Sequence, residues 1–408
     1  MGLNPYDTNM DPTTSIGLGN IVGYRATKWM RENDMLHVDE DFVDIDMLQK
    51  IQDQHHTPTW HQWKPEFTGS GRFQGIRPGI VTMQTFVTPS MGTFSFLYDN
   101  EKDFIDLGLE DAIMKLDTSD EAYLTRTKRF MDVQRNLNWE TNALAEMANN
   151  KITGSVFLIK AFVKLLKTLV SKEDFNRYYD DFSMVTSACE YAAVHAGWRH
   201  KRTYYAGRPH TVVKNLAKRN VEFKNAYPEA ENFIPYIPPG DHPEYPSGSA
   251  IIYTAFAQSG DNWFRDVLNF ENASDNTGPL EFTVPKDGFY WTDAKPEMDI
   301  KLKFNNLTDW IDHLTIARVY AGVHFHEAGE AGINLGRKVG DACTRMYNRM
   351  REGDMRATYP YENRKVVKTF NTDAEMYTMS IQQSNSSENK AMIVLPIMVT
   401  LTSMIYMM

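Results

Sequence analysis

The chain has 408 residues, of which 42% are hydrophobic and 24% charged, as in ordinary soluble globular proteins. This length fits one large domain or two smaller ones. The formal net charge of −10 argues against nucleic acid as a main partner. Cys189 and Cys343, the two cysteines, are too few for a disulfide framework. We expect buried free thiols, with a single bridge between them as the alternative.

Residues 1–24 are polar and contain glycine, without an apolar run, so no signal peptide is visible. The sequence leaves the localisation open, secretion and membrane association included. Three histidines, His55, His56 and His61, lie close to two tryptophans. Because no cysteine or carboxylate spacing accompanies them, packing is a better interpretation of this cluster than metal binding.

The segment 119–223 predicts helices. Ser119-Asp120-Glu121 is a helix-capping signal, and apolar residues then recur three and four apart through Asn149. Two further helices are predicted over 154–170 and 174–201. Strand signals are scarce and the turns are short, which together indicate an all-α bundle protein.

A proline-rich segment, Pro238 to Ala250, leads into the apolar residues 251–257, which read as a helix. Ser247 is a candidate N-cap, and Gly248 lets a bound group approach the backbone closely. A helix start that combines N–H groups, a hydroxyl and a glycine can bind an anion. Taken alone, the pattern is more typical of an ordinary capped helix.

Two other segments supply cations and a histidine. Lys201 and Arg208 are seven residues apart, which on one helix would place both on the same side, about two turns apart. The proline after Arg208 is expected to end or bend that helix. Arg318 and His324 are six apart, so a bend near Gly322 is needed to bring them together. Arginine forks, a lysine and a histidine suit a tetrahedral oxyanion.

The order and spacing of these residues resemble the vanadium-dependent haloperoxidases and the related type 2 phosphatidic acid phosphatases. The matching elements are Lys201-x6-Arg208-Pro209, Pro246-Ser247-Gly248 and Arg318-x5-His324. The context resembles the chloroperoxidase-like branch of the haloperoxidases more closely, through Trp198 three residues before Lys201, PEYPSG at 243–248, VHF at 323–325, EAG at 327–329 and GRKVG at 336–340. The resemblance runs from about Asp11 to Met350.

The resemblance implies an all-α fold of two four-helix bundles within a haloperoxidase-like domain over 1–368. It implies vanadate bound to His324 and held by Lys201, Arg208, Ser247, Gly248 and Arg318. The implied reaction oxidises bromide or chloride with hydrogen peroxide and halogenates a small organic substrate. Its catalytic residues would be Lys201, Ser249 and His324, and a homo-oligomer is the common state of such proteins.

Two positions depart from the family pattern. Ser249 stands where a histidine usually acts as acid–base, and a serine is a poor base near neutral pH. Ala317 replaces a serine. His242, Glu244 and His200 are candidate substitute bases. The alternatives left open are a phosphatase with His324 as nucleophile, a vanadium-independent enzyme or relic on the same fold, and a membrane-tethered structural protein.

The C-terminal residues change in composition. Residues 369–390 are polar, which predicts disorder. Residues 391–408 form 18 positions without a charge, long enough for a marginal membrane segment. A tail anchor with membrane contact, a removed anchor signal and a sequence artefact are equal alternatives.

Overall fold

The structure is a computed structural model. It describes residues 111–240 and 242–352, with short N-terminal parts at 7–11, 13–14, 16–17, 19–21, 24, 60–63 and 108–109. The predicted polar and apolar tails over 369–390 and 391–408 lie outside the described residues, as do His55 and His56. The domain limits at 368 and 390 therefore stay predictions.

Nine α-helices and one small sheet make up residues 111–352. The helices are α1 Asp120–Gln134, α2 Trp139–Asn149, α3 Lys151–Leu169, α4 Phe175–Tyr204, α5 Pro209–Arg219, α6 Val221–Ala226, α7 Gly248–Leu268, α8 Leu307–Tyr320 and α9 His326–Arg351. The strands β1 Leu280–Val284 and β2 Ile300–Phe304 pair antiparallel, with Leu280 opposite Phe304. The predicted all-α class is confirmed, with this hairpin as a small addition.

The first predicted helix is divided in two. The Ser119 hydroxyl accepts a hydrogen bond from the Ala122 N–H at 3.2 Å, which confirms the capping signal that begins α1. The helical periodicity does not run on to Asn149 as one element, because α1 ends at Gln134. Asn138 then starts α2 with a capping box, in which its side chain and that of Thr141 bond each other's backbone N–H.

Helix α7 is the centre of the described region, and α4 and α9 pack against it. Most of its residues are buried, so it is apolar nearly all round. Helix α9 meets it through Gly332, Gly336 and Gly340, which share one face. A Cβ added at any of the three would lie within 2.7 Å of an α7 atom or of the Ser247 carbonyl. This close contact fixes where α7 and α9 begin relative to each other.

The segment between Lys201 and Arg208 is not one helix. Helix α4 ends at Tyr204, because Tyr205 takes a left-handed conformation with φ of 44°. Pro209 then occupies the first turn of α5, and Arg208 is its N-cap. The prediction that Lys201 and Arg208 lie on the same side of one helix is therefore wrong, since the chain turns between them.

The expectation of free thiols is also wrong. Cys189 of α4 and Cys343 of α9 form a disulfide, with their Cα atoms 5.6 Å apart. The sulfurs are fully buried in the core that α4, α7 and α9 share. Cysteine number alone could not decide between a bridge and two thiols, since pairing depends on which helices become neighbours. Among the described residues, no helix has the length and apolarity needed to cross a membrane.

Replacing both cysteines, as Cys189→Ala with Cys343→Ala, should lower the thermal midpoint strongly. The bridge joins positions 154 residues apart, and for a loop of that length the lost chain constraint amounts to about 5 kcal/mol. Differential scanning calorimetry measures the loss. A thiol assay on unreduced, denatured protein is the control, and two reactive thiols there would contradict the bridge.

Glu190 of α4 is a fully buried carboxyl whose hydrogen-bond partner is the Ser155 hydroxyl at 3.0 Å. Burial raises its pKa from 4.5 to about 7. Because the folded pKa exceeds the unfolded one, ionisation destabilises the fold progressively as pH rises from about 4.5 to 7, and fully above that. The free energy of unfolding of Glu190→Gln, relative to that of the wild type, should therefore be about 3 kcal/mol higher at pH 8 than at pH 4.

Thermal midpoints of the wild type and Glu190→Gln at the two pH values test this. Any pH-independent effect of the amide cancels in the comparison. Glu330→Gln, on the exposed side of α9, is the matched control. An equal difference in midpoint at both pH values would show that Glu190 is not the titrating group.

Candidate functional site

The ammonium of Lys201 is buried at the end of α4, with 2% of the residue exposed. Its Nζ donates to the carbonyl oxygens of Pro243 and Glu244, at 2.7 and 3.1 Å. An ammonium has three N–H donors, so one remains for a further acceptor. Lys201 thus holds the approach to α7 in place and keeps a donor for a bound group.

The guanidinium of Arg208 joins two loops. Its Nε donates to the His242 carbonyl at 3.0 Å, and its Nη1 donates to the Val323 carbonyl at 2.9 Å. The same Nη1 lies 3.2 Å from Nε2 of His324. Arg208 therefore connects the segment before α7 with the connection between α8 and α9.

The predicted bend near Gly322 is confirmed. Helix α8 ends at Tyr320, and Gly322 has φ of +79°. A Cβ at Gly322 would also lie 2.7 Å from Pro235, so both conformation and space require glycine here. The bend lets His324 leave the direction of α8 and lie against Arg208.

The imidazole of His324 is held from its other side by a carboxylate. Its Nδ1 lies 3.0 Å from Oε1 of Glu244, and the same oxygen accepts the Phe325 N–H at 2.9 Å. Both side chains are nearly fully buried. The two ring nitrogens thus have different partners, a carboxylate at Nδ1 and a guanidinium at Nε2.

Arg318 lies in the last turn of α8 and is buried. Its Nη1 donates to the Asn149 side-chain oxygen at 3.2 Å, at the end of α2. Its Nε has no hydrogen-bond partner among the described residues. A buried guanidinium N–H without an acceptor is costly, so this group is suited to receive an anion.

The start of α7 has the same property. Ser247 is its N-cap and is fully buried, yet its hydroxyl makes no capping bond and has no partner in the described part of the chain. A Cβ added at Gly248 would meet nothing within 4 Å. The predicted N-cap position is right, but the hydroxyl is not used for the cap. Ser249 follows in the first turn of α7 and is buried too.

Burial shifts the pKa values of the ionisable groups. It lowers the pKa of Lys201 well below its ordinary value and that of Arg318 to about 10. The pKa of His324 is also far below its usual range, through burial and then through Arg208, Lys201 and Arg318. Burial raises the pKa of Glu244 to about 7, although the Phe325 N–H and two of the cations oppose this.

The charges do not balance within the site. Among its described residues, three buried cations are opposed by one buried carboxylate, and that carboxylate is bonded to His324. A multiply charged oxyanion would restore the balance and give acceptors to the two unpartnered donors. The arrangement therefore fits vanadate or phosphate.

The three candidate substitutes for the missing histidine occupy different places. His200 Nε2 is bonded to the Leu109 carbonyl at 2.9 Å. Glu244 faces Nδ1 of His324. His242 is half-buried, and its ring nitrogens lie 3.0 and 3.2 Å from Nη2 of Arg208. The His242 ring is thus placed beside the Arg208 guanidinium.

The structure thus brings Lys201, Arg208 and His324 into one bonded group, with Arg318 close enough to affect the pKa of His324. Sequence reasoning missed two partners, Asn149 behind Arg318 and Glu244 behind His324, the latter considered only as a base. Nothing in the Asn149 segment marks it. Glu244 was recognisable as an acidic residue within the PEYPSG element.

The described residues contain no cluster of three or more histidine, cysteine or acidic side chains that could hold a metal cation.

The comparisons with known proteins agree with the geometry. Residues 181–353 match the family model of the VCPO (vanadium chloroperoxidase) second helical-bundle domain. No curated protein matches the sequence significantly.

Two solved structures of bacterial vanadium-dependent chloroperoxidase are similar in fold. The holo form has a TM-score of 0.60 at 19% identity over 85% of this chain and 76% of that chain. The apo form has a TM-score of 0.61 at 18% identity over 87% and 78%. Residues 181–353 are thus similar to the second helical-bundle domain of the vanadium chloroperoxidases, and the fold of this chain is similar to that of the two bacterial enzymes.

Proposed function

We propose that this protein is a haloperoxidase that uses bound vanadate and hydrogen peroxide to oxidise bromide or chloride. The observation that carries the proposal is the excess of buried positive charge around His324. The Ser247 hydroxyl and Arg318 Nε, which have no hydrogen-bond partner among the described residues, add to it. Such a set of donors is arranged for an oxyanion before it binds. The fold of two vanadium-dependent chloroperoxidase structures supports the choice of vanadate.

In this proposal His324 would bind the vanadium through Nε2, the nitrogen that faces Arg208. Lys201, Arg208 and Arg318 would neutralise the oxygens, with hydrogen bonds from the Ser247 hydroxyl and the Gly248 N–H. Bound vanadate supplies a Lewis acid that activates peroxide towards halide. The third N–H of Lys201 would hydrogen-bond to peroxide in the site and stabilise negative charge on it.

Proton transfer to and from peroxide would fall to His242. Ser249 can donate a hydrogen bond but is a poor base at neutral pH. His242 lies at the edge of the site, half-exposed, and contacts both Arg208 and, at 4.9 Å between ring centroids, Trp198. A ring between the cations and solvent is placed to exchange protons with bulk water.

A phosphatase is the second candidate. The contact between Glu244 and Nδ1 of His324 supports it, because a carboxylate-oriented imidazole with its other nitrogen towards the anion site can attack phosphorus. The leaving alcohol would need a proton from His242, since Ser249 is not acidic enough. A vanadium-independent enzyme or a relic would have the same fold, but it would show neither halogenation nor phosphate-ester hydrolysis and would not bind vanadate.

Arg318→Gln should weaken the binding of orthovanadate and of inorganic phosphate by about 10- to 100-fold. A buried charge-assisted hydrogen bond contributes about 1.5–3 kcal/mol, and each 1.4 kcal/mol is tenfold in affinity. Ser247→Ala should cost less, about two- to tenfold, because its hydroxyl is neutral. Isothermal titration calorimetry gives the dissociation constants. Arg337→Gln removes an exposed guanidinium and is the control. Unchanged binding in Arg318→Gln would remove Arg318 from the site.

His324→Ala should abolish halogenation. Purified full-length protein would receive orthovanadate, hydrogen peroxide and bromide or chloride, and bromination or chlorination of a phenolic dye would be followed. His242→Gln should keep vanadate binding and lower turnover about 100-fold, since general acid–base catalysis contributes about 10²–10⁴.

The same preparations without vanadate would be tested on p-nitrophenyl phosphate. Hydrolysis that requires His324, with no halogenation, would establish the phosphatase. The absence of both activities and of vanadate binding would mean that the fold carries a different function. Halogenation retained in His324→Ala would contradict the proposed cofactor attachment.

A further inference from the structure

Glu244 is fixed from several directions. Its backbone N–H donates to the Ala206 carbonyl at 2.8 Å, and its carbonyl accepts from Lys201 at 3.1 Å. Its side-chain Oε1 accepts the Phe325 N–H at 2.9 Å. With 2% of the residue exposed, the carboxylate is held at a defined place beside the His324 ring.

The contacts on the two sides of the ring select one tautomer. A guanidinium can only donate, so Nε2 of His324 must accept from Arg208. The two hydrogens of Nη1 are then accounted for, one on the Val323 carbonyl and one on Nε2. A ring with an acceptor at Nε2 carries its hydrogen at Nδ1, and that hydrogen points to Glu244.

We propose that Glu244 is a positioning residue that holds His324 in the Nδ1–H tautomer, so that its Nε2 lone pair faces the cations. A hydrogen bond from the second ring nitrogen to a carboxylate fixes ring orientation and raises the basicity of the first. Without Glu244 the ring could rotate or carry its hydrogen at Nε2, where it would oppose Arg208. The oxyanion as ligand rests on the proposed function, whereas the tautomer is a property of the chain itself.

The test uses protein with ¹⁵N-labelled histidine, in which nitrogen chemical shifts distinguish the two tautomers. Signals of His324 are identified by their loss in His324→Gln. The wild type should show a protonated Nδ1 and an unprotonated Nε2. Glu244→Leu removes the acceptor and should lose this pattern, with orthovanadate affinity lower by at least 100-fold. Glu244→Gln keeps an acceptor oxygen, so it should keep the tautomer and lose about tenfold in affinity.

Glu146 provides the matched control. It is another buried glutamate, and its Oε1 accepts the N–H groups of Tyr290 and Trp291 and the Tyr236 hydroxyl. Glu146→Gln should leave the His324 spectrum unchanged. Circular dichroism checks that each variant folds. If Glu244→Leu does not fold, Glu244→Gln decides through its affinity for orthovanadate and the chemical shift of His324 Nε2.

An Nε2–H tautomer in the wild type would overturn the proposal, as would unchanged spectra and affinity in the Glu244 variants. Failure of the proposed function looks different. If the wild type shows the Nδ1–H tautomer and Glu244→Leu loses it, but vanadate does not bind, then Glu244 positions His324 for another ligand.

Discussion

The burial of several cationic side chains close together is the constraint on which the site depends. Lys201, Arg208 and Arg318 are all removed from water, with Glu244 as the opposing carboxylate among the described site residues. Such a group is stable only if backbone oxygens replace lost hydration. The carbonyls of His242, Pro243, Glu244 and Val323 do so in part. They are available because they lie in connections and not inside helices.

The site is accordingly built from helix ends. Lys201 is close to the end of α4, Arg208 begins α5, Ser247 begins α7 and Arg318 ends α8. The side chains at these ends bond backbone groups of the connections, such as the carbonyls of Pro243 and Val323. The glycine face of α9 fixes where α7 and α9 begin relative to each other, and the disulfide between α4 and α9 closes the same core.

Ser249 stands where the family pattern has a histidine. A different residue would therefore have to transfer protons in such a site. Ser249 remains buried at the first turn of α7, so the place itself is kept. Besides His324, the structure puts His242 against Arg208, five residues before the α7 N-cap. The two residues lie in different segments, His242 in the connection before α7 and Ser249 in the first turn of α7.

Much could be read from the sequence. Helical periodicity and scarce strand signals gave the all-α class, and the spacing of Lys201, Arg208, Arg318 and His324 gave the residues of the candidate site. The need for a bend at Gly322 followed from six-residue spacing on a helix of 3.6 residues per turn. These features are local, because each depends on residues near one another in the chain.

What the tertiary structure decided depends on distant residues. The position of Glu244 against Nδ1 of His324 joins residues 80 apart, and the Cys189–Cys343 bridge joins residues 154 apart. The turn at Tyr205 defeated the prediction of a single helix through Arg208, since a tyrosine in the left-handed conformation has no sequence signal. The sequence also could not predict that the Ser247 hydroxyl has no partner among the described residues, because a serine before a helix normally caps it. Sequence by itself thus determined which chemical groups are present and in which helices, whereas only packing decided which of them meet and which are left for a ligand.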